Sequence, residues 1–344
     1  MRNKFRLVVL RILRQLFRVV GGVVMSQRAA NTLLSQRDRA VTELVGIESL
    51  NLKQGLVGII VSKDRALQLY SLLCSYLELV SNPVELTVIY SVSTDAHSDA
   101  YKEVEELFSD KYPKVAFVRE TDSFRATINS VLRTVQTKNI FFLVDDIVFI
   151  RNIDLAFATE LDASRYVLSL RHSPVLTRSY TANVNQKPPT FSDFSDMPDL
   201  HQFRWFEEGN EWSDPWSLDG QILSTAEVRI MTRVSDFFAP NTYEGALKTF
   251  NSLCTARLGL CYSESKILNL PINRVQNEVQ NLSGEISPEF LLSQWNKGMM
   301  LDTVELRSHI PISPHEEHAV VFKKRAIESS VPNKSSQGVY RGTI

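Results

Sequence analysis

Two adjacent aspartates, Asp145 and Asp146, lie in an otherwise apolar run that reads FFLVDDIVFI at residues 141–150. A buried carboxylate is costly unless it is paired, hydrogen-bonded or bound to a cation. Neighbouring residues on an extended chain point to opposite sides, so one aspartate can bind a metal while the other accepts hydrogen bonds from loops or a ribose. Mg²⁺ and Mn²⁺ prefer oxygen ligands and are often completed by substrate phosphates. The alternative is that one aspartate caps the next turn, but the apolar flanks favour a functional pair.

The segment HQFRWFEEGNEWSDPWSLDGQIL, residues 201–223, combines aromatic and acidic side chains. Trp205, Trp212 and Trp216 offer flat apolar faces, and acids beside such faces suit a sugar acceptor. The alternative is that each tryptophan packs against the sheet, as large aromatic residues usually do. Arg274, which follows another apolar run, is a candidate for neutralising a phosphate, or else a solvated surface residue.

Alternating strands and helices are predicted to position these residues. Short apolar or β-branched runs predict strands, and stretches with a helical apolar period predict helices. The predicted strands are 56–62, 86–92, 115–119, 140–144 and 166–170, and the predicted helices are 62–80, 98–110 with Ser98 as cap, 123–136 and 287–302 with Ser287 as cap. This alternation predicts an α/β fold with a mostly parallel central sheet flanked by helices. Ligands bind at the carboxyl ends of the strands in such sheets, and Asp145 and Asp146 follow the fourth strand.

The two ends of the chain differ from this middle part. In residues 1–20 basic side chains share one face of a predicted amphipathic helix, which suits an anionic membrane surface. The alternative is a helix that packs on the protein or on a second subunit. Residues 26–54 are predicted to be helical, and the polar tail is predicted to be disordered. The predicted organisation is therefore a lead-in at 1–50, a catalytic domain at 55–325 and a tail at 326–344.

The composition excludes several classes of protein. A chain of 344 residues with 44% hydrophobic and 22% charged residues is typical of a globular protein with a sizeable core. The net charge of −1 gives no overall field that would favour nucleic acid. The three cysteines have the spacing of neither a disulfide framework nor a zinc motif, which indicates a reducing compartment. We therefore expect a cytoplasmic protein, or one held at the inner face of the membrane through residues 1–20.

The sequence resembles family-2-like glycosyltransferases of the GT-A fold, which act on nucleotide-sugar donors. The resemblance rests on the SKDR motif between the first strand and its helix and on the V-D-D-x-x-F segment at residues 144–149, and it extends over about residues 55–320. It implies a GT-A domain that binds Mn²⁺ or Mg²⁺ through the acidic pair, which bridges the donor diphosphate. The motif here departs from the usual D-x-D spacing, because Val144 precedes the pair. We favour Asp146 as the metal ligand, with Asp145 near the ribose.

The resemblance also implies roles for residues that lie near the donor. The nucleotide would lie against Ser62, Lys63, Asp64 and Arg65. Asp64 would accept from the base or ribose, and Arg65 would reach a phosphate; alternatively, Ser62 or Asp64 caps the following helix. Further candidates are Asp95 on the base side, Trp216 beside the sugars and His315 as an additional metal ligand, although a lone histidine near acids is more often a surface residue.

A general base is implied for an inverting enzyme, since the acceptor hydroxyl must lose its proton. Asp219 in SLDG is the first candidate, Glu244 in NTYEGAL the second and Asp214 the third. Asp219-Gly220 is alternatively a plain turn. A retaining mechanism would not need this base.

Three functions are consistent with these patterns. The first is a metal-dependent glycosyltransferase that moves a sugar to a hydroxyl of a glycan or lipid-linked acceptor. The second is another α/β nucleotide enzyme, such as a nucleotidyltransferase; dinucleotide binding and a P-loop are disfavoured, because VGIIVSKDR at residues 57–65 has no glycine-rich loop. The third is a membrane-surface scaffold with a degenerate glycosyltransferase domain.

Overall fold

A computed structural model describes residues 25–109, 112, 114–194, 197–275 and 284–325. The helix predicted at residues 1–20 and the tail at 326–344 lie outside this part of the chain. Within it the chain forms two compact units, one ending at Asn51 and the other beginning at Leu52.

The described residues of the first unit form a helix, α1, which runs from Gln27 to Ser49. Ser26 is its N-cap, and the Ser26 hydroxyl accepts a hydrogen bond from the backbone N–H of Ala29 at 3.2 Å. A serine cap satisfies one of the free N–H groups at a helix start. The helix predicted between residues 26 and 54 is thus confirmed, with an earlier end. Among the described residues no helix has both the length and the apolar composition needed to cross a bilayer.

The second unit is built from strands and helices in alternation. Its main strands are β1 Lys53–Lys63, β2 Glu85–Ser91, β3 Val115–Arg119, β4 Thr137–Val144, β5 Ile147–Phe149, β6 Tyr166–Ser169, β7 Ser192–Asp193, β8 Leu200–Arg204, β9 Gln221–Ser224, β10 Leu258–Tyr262, β11 Ile267–Asn269, β12 Met299–Leu301 and β13 Phe322–Lys324. Its α-helices are α2 Ala66–Leu79, α3 Asp95–Ser109, α4 Phe124–Thr134, α5 Ala156–Glu160, α6 Thr225–Val234, α7 Pro240–Lys248 and α8 Pro288–Asn296.

Nine of these strands form one twisted central sheet in the order β7-β8-β10-β6-β9-β4-β1-β2-β3. Strands β3, β2, β1 and β4 are parallel, and β6 is parallel to β10. Strand β9 is antiparallel to both β4 and β6, and β8 is antiparallel to β7 and β10. All strands except β8 and β9 therefore point the same way. Helices α2, α4 and α6 pack on strands β1, β2 and β4. The mostly parallel α/β sheet flanked by helices is confirmed.

The centre of the sheet is dry and closely packed. Ile59 and Ile60 in β1 have no exposed surface. A Cβ atom at Gly58 would lie 2.5 Å from the side chain of Leu86 and 2.6 Å from that of Phe141, so the glycine allows the neighbouring strands to fill this layer. Such packing is typical of a parallel sheet covered on both faces. This packing fixes where β1 and β4 end, and it therefore positions the polar residues that follow these strands.

Two local predictions are corrected by the structure. Helix α3 begins at Asp95, not at Ser98, so Ser98 lies inside the helix, and the Thr94 hydroxyl accepts from the backbone N–H of His97 at 3.3 Å. Helix α8 ends at Asn296, and the last part of the predicted helix forms strand β12, which begins at Met299. The cap predicted at Ser287 is confirmed, because its hydroxyl accepts from the backbone N–H of Phe290 at 3.1 Å.

The aromatic segment at residues 201–223 belongs to the core rather than to an open surface. Trp205 is 3% exposed, and Trp212 and Trp216 are fully buried. Trp205 and Trp212 pack edge-on against Phe203 of β8, with ring centroids 4.7 and 5.2 Å away. The tryptophans are therefore core residues, two of them packed against the sheet, and not an open acceptor surface. They anchor the segment whose acidic residues are considered next.

Candidate active site

A cleft of about 590 Å³ opens in the second unit where β1 and β4 end. It has the size of a typical small-molecule site, and it lies where ligands bind in open α/β sheets. It brings together ten of the site residues expected from the sequence: Ser62, Lys63, Arg65, Asp145, Asp146, Asp214, Asp219, Glu244, Arg274 and His315.

Arg65 pairs with both aspartates of the VDD segment. Its Nη1 lies 2.8 Å from Asp145 Oδ1 and 3.0 Å from Asp146 Oδ2, and its Nη2 donates to the backbone carbonyl of Asn273. The side chains of Arg65 and Asp145 are 10% and 4% exposed. Burial alone would lower the pKa of Arg65, but the charges of the two aspartates outweigh burial and raise it. The buried acids are thus compensated by a fixed cation, as buried charges must be.

Asp145 is saturated by donors of the protein itself. Its Oδ2 accepts from the Ser62 hydroxyl at 2.8 Å and from the backbone N–H of Lys63 at 3.0 Å, while Oδ1 faces Arg65. The Ser62 hydroxyl also shares a hydrogen bond with the Tyr101 hydroxyl. Asp145 therefore ties the end of β4 to the end of β1. This arrangement suits a structural anchor better than a contact to a ribose.

Asp146 is more open, with 12% of its side chain exposed. Its Oδ1 accepts from the Asn269 amide at 2.9 Å, and its backbone carbonyl accepts from the N–H of Leu270 at 2.8 Å. Burial raises the pKa of Asp146 to about 6, helped by the nearby charge of Asp145 and opposed by Arg65. A carboxylate that resists ionisation in this way is stabilised by an added cation.

Asp219 lies between a histidine and an arginine across the cleft. Its Oδ2 is 3.2 Å from His315 Nε2 and 3.1 Å from Arg171 Nη1. Burial would raise the pKa of Asp219, but the hydrogen bond from His315 and the charges of His315 and Arg171 lower it to about 2. Arg171 is 3% exposed and also faces Glu211 at 3.3 Å and Asp214 at 3.6 Å. Asp219 thus remains ionised at all ordinary pH values.

His315 has one ring nitrogen in use and one without a hydrogen-bond partner among the described residues. Nε2 donates to Asp219, and the buried Nδ1 is the atom without a partner. A carboxylate that fixes the tautomer of a histidine is the usual second partner of a metal-binding imidazole. The charges of Asp146 and His315 interact across the cleft. Asp146 and His315 Nδ1, which both line the cleft, could hold a divalent cation, and a mixed oxygen and nitrogen set of this kind suits Mn²⁺ better than Mg²⁺.

Glu244, in helix α7, has the opposite character to Asp219. Lys248 lies one turn later, with Nζ 2.7 Å from Glu244 and 3.0 Å from Asp214. Burial raises the pKa of Glu244 to about 7, the charges of Asp214 and Asp219 add to the rise, and Lys248 opposes it. A carboxylate with a pKa near neutrality can both accept and release a proton.

Three expected site residues do not line the cleft. Asp64, at φ 53°, turns its carboxylate towards Ser93, whose backbone N–H and hydroxyl donate to it at 2.7 and 2.6 Å. It is therefore not the cap of α2, whose N-cap residue is Arg65 without a side-chain cap bond. Asp95 is exposed at the start of α3, and Trp216 is fully buried. For these three residues the structure does not support contact with the nucleotide or with sugars.

The polar cleft residues that the sequence did not predict include Arg171, Lys248, Asn269 and Tyr180. Arg171 directly follows the predicted strand 166–170, just as Asp145 follows strand 140–144, so the strand-end rule would have found it. Lys248 is four residues after Glu244, a spacing at which helical side chains meet. Asn269 and Tyr180 carry no comparable pattern.

No family model matches the chain. In sequence it is similar to the bifunctional glycosyltransferase pgtA of Dictyostelium discoideum, with 24% identity over 201 residues. The match covers 51% of this chain and 25% of the relative, so the chain spans about a quarter of the length of the curated relative it matches.

Solved structures show partial likeness. A mannosyltransferase of Pyrobaculum calidifontis, solved in complex with GDP-Man and Mn²⁺, has a TM-score of 0.28 at 18% identity, covering 40% of this chain and 46% of the other. TarS of S. aureus has a TM-score of 0.38 at 14% identity, covering 62% and 36%. A 4-diphosphocytidyl-2C-methyl-D-erythritol synthase of Anaerococcus prevotii has a TM-score of 0.36 at 12% identity, covering 66% and 94%. Scores this low do not define the fold, which follows from the strand order and register.

Proposed function

We propose that the chain is a metal-dependent glycosyltransferase that takes a nucleotide-sugar donor into the cleft and transfers the sugar to a hydroxyl. One observation carries this proposal: an orphaned His315 Nδ1 and the partly open Asp146 face a cleft lined by Lys63 and Arg274. A diphosphate with a divalent cation satisfies all four groups at once. The similarity to a glycosyltransferase sequence points the same way.

The donor side of the cleft would bind the diphosphate. Lys63 and Arg274 are exposed in its wall and can each donate to phosphate oxygens. Arg65 is committed to Asp145, Asp146 and a carbonyl, so we assign it a positioning role rather than a phosphate contact. It holds Asp146 in place and prevents the two acids from repelling each other.

Asp146 and His315 would hold the cation, with Asp219 orienting the imidazole. When bound, the cation neutralises the charge that develops on the departing diphosphate. Burial would lower the pKa of His315, but the hydrogen bond to Asp219 and the negative charge of Asp219 raise this pKa. A proton on Nδ1 therefore competes with the cation, and metal affinity should fall as the pH falls.

Glu244 is the proposed general base. In the transfer step the acceptor oxygen forms a bond to the anomeric carbon, the bond from that carbon to the diphosphate breaks, and the hydroxyl proton passes to Glu244. Asp219, with its pKa near 2, is a much weaker base and is already engaged by two donors. The order of the two candidates from the sequence is thus reversed in this proposal.

The acceptor class follows only from chemistry at the cleft mouth. Phe238 is 67% exposed and, like Glu244, lines the cleft, which gives the cleft an apolar face as well as a base. A glycan or a lipid-linked glycan presents such C–H faces beside its hydroxyls. Binding to an anionic membrane through residues 1–20 remains a prediction, because these residues lie outside the described part of the chain.

The proposal is tested by calorimetric titration with UDP and GDP, with and without Mn²⁺, on the wild type and on Asp146→Asn. We expect Mn²⁺ to tighten the binding of one nucleotide in the wild type and to have no effect in the variant. Asp236→Asn is the matched control, because the Asp236 side chain is 96% exposed and pairs only weakly with Arg125. It should behave like the wild type.

Three results would argue against the proposal. Binding of neither nucleotide would leave the aspartates as structural anchors. Release of pyrophosphate instead of a nucleoside diphosphate would indicate nucleotidyl transfer. Nucleotide-sugar binding without turnover on any acceptor would favour a scaffold.

A further inference from the structure

A second cluster of metal-binding side chains lies outside the cleft, between His309 and His318. His309 Nε2 is 2.5 Å and His318 Nε2 is 3.2 Å from Glu316 Oε2, and the two rings stand 4.7 Å apart. One ligand atom from each of the three lies within 4.8 Å of the others. Within the described part of the chain, no other group of three such side chains converges as closely.

The backbone holds Glu316 in one orientation. Its Oε1 accepts from the backbone N–H groups of Ile312 at 2.7 Å and Ser313 at 3.1 Å, which leaves Oε2 to the two histidines. Ligands fixed by outer hydrogen bonds bind metal more tightly than free side chains. The carboxylate is thus oriented before any ion arrives.

The backbone at His309 is fixed as well. Arg151 donates to the carbonyl of His309 at 2.7 Å and to that of Arg307 at 2.6 Å. The guanidinium of Arg151 contacts these carbonyls and Glu264, at 2.9 Å, and not Glu316. The His309 end of the cluster is therefore anchored to the loop after β5, and the His318 end is held through Glu316.

We propose that His309, Glu316 and His318 form a binding site for Zn²⁺. Two imidazole nitrogens and one carboxylate oxygen are a ligand set that Zn²⁺ favours, and three protein ligands leave a fourth position for water. The side chains are 36%, 14% and 27% exposed, so an ion can enter from solvent. Without an ion, both histidines donate to a single carboxylate oxygen.

The site would fix the segment that carries His315. The backbone N–H of Asn269 donates to the Pro314 carbonyl at 3.0 Å, and that of Glu316 donates to the Asn269 carbonyl at 3.1 Å. Zn²⁺ bound at both ends of the segment would reduce its freedom, as a closed loop does. This consequence rests on the proposed role of His315 in the cleft, whereas the Zn²⁺ site itself does not.

The test measures Zn²⁺ bound per chain after chelation and equilibrium dialysis, together with the thermal midpoint, in His309→Gln and His318→Gln. We expect each variant to bind one equivalent fewer than the wild type and to lose the rise in Tm that Zn²⁺ produces. Co²⁺ in place of Zn²⁺ should give the visible absorption of a four-coordinate site only when both histidines are present. The matched control is His201→Gln, because His201 contacts Ser263, Asp193 and the ring of Phe191, none of which belongs to the cluster.

Asp146→Asn separates this site from the cleft. Retention of the Zn²⁺ equivalent in Asp146→Asn supports the proposal whatever happens to nucleotide binding. Loss of the equivalent in Asp146→Asn but not in the two histidine variants would place the ion in the cleft and overturn it. Unchanged stoichiometry in both histidine variants, or no binding by the wild type below millimolar Zn²⁺, would also overturn it.

Discussion

The two walls of the cleft both carry aspartate or glutamate side chains, but they hold these carboxylates in different electrostatic environments. On the donor wall, which carries Asp145 and Asp146, both aspartates are bound to one buried arginine, and each of their four carboxylate oxygens accepts from a protein donor. On the opposite wall, the pKa of Asp219 lies near 2 and that of Glu244 near 7, although both carboxylates line the same cleft. Carboxylates driven apart in pKa are typical of acid–base assignments. The donor wall thus suits positioning, and the opposite wall suits the proton transfer that we propose.

The largest expected effect comes from removing the cation of the donor wall. Arg65→Met leaves Asp145 and Asp146 buried side by side without their partner, and breaking such a buried pair costs about 3–5 kcal/mol. We expect a loss of this size in the free energy of unfolding, measured by urea titration. Arg125→Met is the control: its partner Asp236 is almost fully exposed, so the change should stay below about 1 kcal/mol. Equal effects of the two substitutions would show that the donor wall does not depend on Arg65.

The next effect belongs to the opposite wall and should leave the fold intact. Glu244→Gln removes the proposed base while keeping the size of the side chain, so kcat should fall by about 10²–10⁴-fold with nucleotide affinity unchanged. In the wild type kcat/KM should fall as the pH drops below about 7, because protonation removes the basic form. Glu103→Gln, at a half-exposed residue that pairs with Arg325, should leave the rate unchanged. A larger loss of kcat in Asp219→Asn than in Glu244→Gln, together with an acid limb of kcat/KM that persists in Glu244→Gln, would return the role of base to Asp219.

The same change should alter the pH dependence of stability. The folded-state pKa of Glu244, about 7, lies above its ordinary value of 4.5, so its contribution to stability is fully present below pH 4.5 and is lost as the pH rises through 7. Glu244→Gln should therefore gain stability relative to the wild type between pH 5 and pH 8, as measured by thermal unfolding at each pH. A constant difference between the two proteins over that range would contradict the raised pKa. The side chain is 22% exposed, and water moderates the effect.

The sequence predicts the donor wall better than the opposite wall, for a physical reason. Asp145 and Asp146 directly follow a strand, while Ser62 and Arg65 lie at or just after the end of another. Parallel strands bring their carboxyl ends to one edge of the sheet, so the convergence of these residues follows from local pattern. Their pairing does not follow from the pattern: the sequence predicts a phosphate contact for Arg65, because a sequence does not show which acid neutralises an arginine.

The opposite wall is assembled from segments far apart in the chain. Asp219, Glu244 and His315 come from a turn, a helix and a C-terminal loop, and only the folded chain shows that Arg171 lowers the pKa of Asp219 while Asp214 raises that of Glu244. The interpretation of the aromatic segment at residues 201–223 as an acceptor site fails for a related reason. Trp216 and Asp219 are three residues apart, yet one is buried in the core and the other lines the cleft.

A smaller effect tests the link between the two walls. Asp219→Asn keeps a hydrogen-bond acceptor for His315 but removes its charge, and the loss of such an outer partner typically lowers metal affinity by about 10–100-fold. We expect a matching rise in the Mn²⁺ concentration that half-saturates activity, with kcat largely recovered at high Mn²⁺. Loss of kcat that Mn²⁺ does not restore would contradict an orienting role.

The smallest effect concerns how the base is tuned. Glu244 is faced by Lys248 on its own helix and by Asp214, Asp219 and Arg171 from the segments packed against it. Lys248 opposes the rise in the pKa of Glu244, so Lys248→Met should move the acid limb of kcat/KM to higher pH. The shift should stay below about one pH unit, because the lysine is 42% exposed and surface pairs are weak and screened by salt. High salt should move the wild-type limb towards that of the variant, whereas a limb that ignores both the substitution and the salt would show that another group titrates there.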